Sequence, residues 1–120
     1  MPETVLFADD DAGIRTVMGI VLADAGFTPV VAADGTQALK LFERQRPAVV
    51  ITDIRMPGLD GLGLLRAIKA IDPEAEVIMT TGHGDMKLAI ESLRLGASDF
   101  LTKPIDDELL HFALARSFQT

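Results

Sequence analysis

Short apolar runs alternate along this chain with longer segments of helical period. The runs cover residues 5–8, 29–32, 48–51 and 77–79, with a weaker one at 99–101, and all are of strand length. Where a run is unbroken, the expected strand is buried on both faces. Between the first two runs, Ile14, Val17, Met18, Val21 and Leu22 follow the i, i+3, i+4, i+7, i+8 spacing of a single helix face. Further helices are predicted near 35–45, 61–71, 85–95 and 107–118. In chain order these elements are β1 to β5 and α1 to α5.

The punctuation agrees with those limits. Asp34 with Gln37 forms a helix-starting pair, Asp72-Pro73 ends the third helix, and Gly26 and Gly96 stand where helices stop. Five β-then-α units result. A right-handed crossover needs a helix to span it, so regular alternation predicts an α/β fold with a parallel sheet covered on both faces. The sequence carries no internal repeat, linker or low-complexity tract, and residues 1–120 read as one domain.

Composition narrows the function classes. The chain has 120 residues, 48% of them hydrophobic, enough for one core. Its formal net charge of -7 argues against direct binding to nucleic acid, which calls for clustered Lys and Arg. Cysteine is absent, so neither a disulfide framework nor a thiolate metal site is available. Met1-Pro2-Glu3-Thr4 lacks the basic start of a signal peptide, and no apolar run approaches membrane-spanning length. A cytoplasmic protein without a membrane segment is expected.

The polar residues add a pattern that apolar periodicity does not require. Asp9, Asp10 and Asp11 follow the first run, Asp53 the third, Thr80 and Thr81 the fourth, and Lys103 the fifth. All fall at the carboxyl ends of strands, the edge where open α/β sheets bind ligands. With a strand order of 2-1-3-4-5, Asp10 and Asp53 flank the switch point. Carboxylates converging in a partly dry cleft repel one another and call for a hard divalent cation or raised pKa values. Mg²⁺ suits the oxygen ligands and shares its shell with phosphoryl oxygens, and Mn²⁺ is the alternative ion. Lys103 and a Thr81 hydroxyl would complete a set suited to spreading phosphoryl charge. An Asp after a strand is more often a turn or helix N-cap residue, which is the reading for Asp11 and Asp60. Asp53 is different, because it follows the apolar Val49-Val50-Ile51-Thr52 and precedes Met56-Pro57-Gly58, which cannot continue a strand.

These residues resemble the response-regulator receiver family over essentially the whole chain. Four blocks carry the resemblance: Val5-Leu6-Phe7-Ala8-Asp9-Asp10-Asp11, Ile51 through Gly61, Met79-Thr80-Thr81-Gly82-His83-Gly84, and Phe100-Leu101-Thr102-Lys103-Pro104. The resemblance implies a flavodoxin-like, doubly wound five-stranded parallel sheet of order 2-1-3-4-5 with five helices. It implies Asp53 as phosphoacceptor and Asp9 and Asp10 as the acidic pair serving Mg²⁺, with the backbone carbonyl of Arg55 completing the protein ligands. Lys103 would hold one phosphoryl oxygen and Thr81 another. Phe100 would be the aromatic switch, turning inward as Thr81 moves and so altering the α4-β5-α5 surface, for which Met86, Leu93, Leu95 and Phe112 are candidates, although helical periodicity makes several of them core residues first. The Lys103-Pro104 peptide would be cis. Arg55 and His83 occupy positions from which the attacking water, and so the phosphoryl lifetime, would be tuned.

By the same resemblance, the phosphodonor is a sensor histidine kinase or a phosphotransfer protein. The reader is an effector domain or separate partner at α4-β5-α5, where a symmetric homodimer would also fit. Two other readings compete with this switch. A Mg²⁺-dependent phosphohydrolase could also use an aspartate nucleophile, but the sequence offers no evident substrate pocket or separate acid. A non-phosphorylated receiver-like interaction module would be marked by loss of Asp53 or Lys103, and both are present. Dinucleotide binding is weaker, because Gly58-Leu59-Asp60-Gly61-Leu62-Gly63 lacks the required glycine spacing.

Overall fold

The computed structural model describes residues 2–82 and 84–119. Strands β1 (Thr4–Ala8), β2 (Thr28–Ala32), β3 (Val49–Asp53), β4 (Glu76–Thr81) and β5 (Asp99–Thr102) alternate with helices α1 (Ala12–Asp24), α2 (Gly35–Gln45), α3 (Gly61–Ile71), α4 (Met86–Arg94) and α5 (Asp107–Gln119). The strands form one parallel sheet in the order β2-β1-β3-β4-β5.

Each face of the sheet has its own core. Alternation along β1 sends Leu6 and Ala8 to one face and Val5 and Phe7 to the other. Leu6, Val50, Val77 and Met79 meet Phe42 of α2, Leu64, Leu65 and Ile68 of α3 and Ala89 of α4. Phe7, Ile51 and Ile78 meet Met18 and Leu22 of α1 and Leu110 and Leu114 of α5. Every one of these side chains is buried, and each large one contributes about 1.5–3 kcal/mol through removal from water.

Four helices begin on an aspartate that caps them. Asp11, Asp34 and Asp60 accept from the amides of Ile14, Gln37 and Gly63, and Asp106 accepts from Leu109. Gln37 also reaches back to the Ala33 amide, so the pair read from sequence closes the start of α2 from both sides. The α1 face is narrower than its spacing suggested. Met18 and Leu22 are buried, whereas Val17 is 57% exposed and stands outside the stripe that meets the sheet. β2 is an edge strand, which tolerates Pro29 and leaves Val31 partly in solvent.

From the central pair β1 and β3 the chain winds outward to β2 on one side and to β4 and β5 on the other. The connections leaving the carboxyl ends of β1 and β3 therefore diverge, and a crevice opens between them.

Candidate functional site

Asp9, Asp10 and Asp53 stand at that crevice, each with a carboxylate oxygen within 4.8 Å of the others'. Asp9 is fully buried; its amide donates to the Ala32 carbonyl at 3.1 Å and its Oδ1 accepts from the Asp11 amide at 2.9 Å. Asp10 faces solvent. Asp53 is the last residue of β3, and the next amide, that of Ile54, donates to the Thr80 carbonyl of β4. The Gly61 amide at the start of α3 returns to the Ile54 carbonyl at 2.8 Å. A Cβ on Gly61 would lie 2.2 Å from the Asp53 carbonyl oxygen, so only glycine lets α3 approach the acceptor strand this closely.

Lys103 crosses from the far side of the site. Its amide is fixed to the Thr81 carbonyl at 2.8 Å, and the Lys103-Pro104 peptide is cis. Its Nζ donates to Asp53 Oδ2 at 2.9 Å and to Asp9 Oδ2 at 3.1 Å. Burial is the largest influence on the Asp53 carboxyl and pushes its pKa above the ordinary value; the Asp9 charge adds to this, while Lys103 and the Arg55 backbone amide oppose it. For Lys103 burial disfavours the ammonium, but its two carboxylate partners outweigh it and hold the pKa above normal.

Thr81 ends β4 and is buried on the Met79 side of the sheet. Phe100 lies beside Met79 in register and packs, partly buried, against the core shared with α4. The expected switch pair thus shares one face. Thr80, on the opposite face, has a buried hydroxyl with no hydrogen-bond partner among the described residues. Arg55 stands on the rim, where its Nε donates to Asp85 Oδ1 at 2.7 Å. His83 lies outside the described residues. Met86, Leu93 and Phe112 are exposed on α4 and α5, as are Ile90 and Leu109, whereas Leu95 is partly buried and packs against the core.

The family model for the response regulator receiver domain matches residues 5–115. The chain belongs to the response regulator receiver family. It is 45% identical over 101 residues to the C4-dicarboxylate transport transcriptional regulatory protein DctD of Rhizobium meliloti, an overlap covering 84% of this chain and 22% of DctD. The chain thus spans less than a quarter of the length of that regulator. A response regulator receiver domain protein from Clostridium thermocellum superposes with a TM-score of 0.95 at 34% identity, covering 98% of this chain and 94% of that one. The receiver domain of NtrX from Brucella abortus superposes with a TM-score of 0.92 at 36% identity, covering 97% and 98% of the two chains.

In this receiver the oxygen-only donor set suits a hard divalent cation. The Lys103 ammonium contacts two of the three carboxylates, those of Asp9 and Asp53, so negative charge remains in excess in the cluster; burial first and then the Asp9 charge raise the Asp53 carboxyl. Asp9, Asp10 and Asp53 therefore fit a hard divalent cation such as Mg²⁺ or Mn²⁺.

Two residues near the site escaped the sequence. Arg15 of α1 donates to the Asp9 carbonyl at 2.9 Å and helps hold the loop after β1. Its place one turn into α1, after an aspartate run, was a usable signal. Asp85 is joined to Arg55 across thirty residues, and no local pattern announces that pairing.

Proposed function

We propose that Asp53 accepts a phosphoryl group from the phosphohistidine of a sensor histidine kinase or phosphotransfer protein, and that this receiver works as a phosphorylation switch. A carboxylate oxygen of Asp53 attacks phosphorus in line. The new P–O bond forms as the P–N bond to the donor breaks, and the imidazole leaves with the electron pair and takes up a proton. Lys103 orients the acceptor beforehand and holds a phosphoryl oxygen afterwards. Thr81 donates its hydroxyl to another oxygen, and Phe100 follows it inward on the α4 side. Mg²⁺ bound by Asp9, Asp10 and Asp53 would supply Lewis-acid charge beside the transferring group.

Hydrolysis of the aspartyl phosphate resets the switch, with Arg55 and His83 as candidates for setting its lifetime. The exposed Met86, Ile90, Leu93, Leu109 and Phe112 support a reader, an effector domain or a second copy, at the α4-β5-α5 surface. All ten elements share one sheet and its two helical layers, which supports treating residues 1–120 as a single receiver unit. A cytoplasmic setting for the exchange is consistent with the family resemblance.

One observation carries this reading: the Lys103 ammonium bonds to both Asp53 and Asp9 in the crevice at the switch point. Incubation with acetyl phosphate and Mg²⁺, followed by intact-mass measurement, tests it. Wild type should gain one phosphoryl group and Asp53→Asn none. Steady release of phosphate with no adduct at any time point would instead favour a phosphohydrolase, and equal labelling of both proteins would remove Asp53 as acceptor.

A further inference from the structure

Asp85 is the exception among the helix-starting aspartates. Asp11, Asp34 and Asp60 have extended backbones (ψ 116°, 171° and 179°) and cap their helices. Asp85 has φ -103° and ψ 17°, and its side chain makes no capping bond to α4. Its carboxylate is instead bound by Arg55 at 2.7 Å. The Asp85 side chain is only 9% exposed, whereas that of Arg55 is 70% exposed. Among the described residues, the partner of this buried carboxylate is thus a guanidinium that stands mostly in water.

Arg55 lies close to the acceptor as well: its backbone N–H favours the charged Asp53 carboxylate, against the larger effect of burial. Arg55 lines a depression with Asp10, Asp60 and Leu88. A phosphoryl group on Asp53 would bring more negative charge and three acceptor oxygens to that neighbourhood, and a guanidinium suits such oxygens in bidentate geometry. Loss of Arg55 would leave the Asp85 carboxylate buried without its partner, which is costly. The unsatisfied amides at the start of α4 are the groups suited to replace it, as they do at the other helices.

We propose that Asp85 is a displaceable anchor for Arg55: phosphorylation of Asp53 draws the guanidinium away, and the freed Asp85 carboxylate turns to cap α4 at the Leu88 amide. This rests on phosphorylation of Asp53 and adds a route from the acceptor to α4 that passes through neither Thr81 nor Phe100. Asp85 acts here as a positioning residue. The first turn of α4 is already closed by the Ala89 amide donating to the Asp85 carbonyl at 3.0 Å, and capping would tighten this turn, which carries the exposed Met86.

Amide hydrogen exchange and ¹H–¹⁵N spectra of the full chain test the anchor, with Mg²⁺ and beryllofluoride as the phosphoryl mimic. In wild type the mimic should slow exchange at Leu88 by roughly fivefold, the effect of one N-cap bond, and shift the Arg55 Nε resonance. Arg55→Gln, on an exposed side chain, should slow Leu88 to the same degree with no mimic present. Asp85→Ala should abolish the slowing under both conditions, while Asp85→Asn, which can cap and loses the ion pair with Arg55, should be slowed from the outset. Leu88 exchange unchanged in unliganded Arg55→Gln and Asp85→Asn would overturn the anchor even if Asp53 proves to be the acceptor. Slowing in both variants would sustain it even if the mimic fails to bind wild type, an outcome that would count against the acceptor site instead.

Discussion

Lys103 Nζ donates to Asp53 Oδ2 at 2.9 Å across fifty residues of sequence. The same ammonium reaches Asp9, so one cation is shared by carboxylates on the two central strand ends. Removing it leaves two buried acidic groups facing each other. Lys103→Ala should therefore lower the rate of labelling by acetyl phosphate by about 100-fold or more, the loss expected for one preorganised charge at a transferring group. Labelling time courses followed by mass spectrometry check this, and a rate within threefold of wild type would show that Lys103 is only structural.

Thr80 and Thr81 are adjacent but face opposite sides of the sheet, and their replacements should separate. The Thr80 hydroxyl is buried without a partner among the described residues, so Thr80→Val should stabilise the fold by about 1 kcal/mol in urea denaturation and leave phosphorylation intact. Thr81→Val should label nearly normally but lose the spectral change at Phe100 that follows phosphorylation. A Thr80→Val protein that is less stable than wild type would mean that its hydroxyl has a partner after all.

Gly61 is a steric requirement of the acceptor loop. Gly61→Ala should cost about 1–3 kcal/mol, because its methyl would displace the Asp53 carbonyl or push α3 outward. The same variant should label more slowly than wild type. Denaturation curves and labelling rates measured on one preparation test both effects, and wild-type values for both would show that the contact relaxes without consequence.

Asp10 is the solvent-facing member of the acidic cluster and can be neutralised with little structural disturbance. Asp10→Asn should weaken Mg²⁺ binding by at least tenfold and slightly raise the thermal midpoint of the metal-free protein, since it removes a repelling charge. The chain has no Trp or Tyr, so titration calorimetry is a more suitable readout than intrinsic fluorescence. Chelation of divalent ions should abolish labelling of wild type. Unaltered Mg²⁺ affinity in Asp10→Asn would place the cation elsewhere.

Much of this molecule was legible in the sequence because the signals were local. The unbroken apolar runs gave β1 and β3, Asp34 with Gln37 gave the start of α2, and Asp72-Pro73 gave the end of α3. Val17 misled because helical spacing fixes a stripe but not its width, and the stripe meeting the sheet centres on Met18 and Leu22. Leu95 falls on the core side that helical periodicity left open for several of the α4-β5-α5 candidates: it is the C-cap residue of α4, where the chain turns back toward the core. The Arg55–Asp85 pair was invisible because thirty residues separate loops that only the β3–β4 register brings together.

The most direct measurement of the phosphoacceptor is chemical mapping of the labelled residue. Wild-type protein treated with acetyl phosphate and Mg²⁺ is reduced with borohydride, which converts an aspartyl phosphate to homoserine, and is then sequenced by tandem mass spectrometry. Homoserine at position 53 and at no other aspartate is the expected result. Homoserine at 9, 10 or 60 with position 53 still aspartate would contradict the assignment of Asp53.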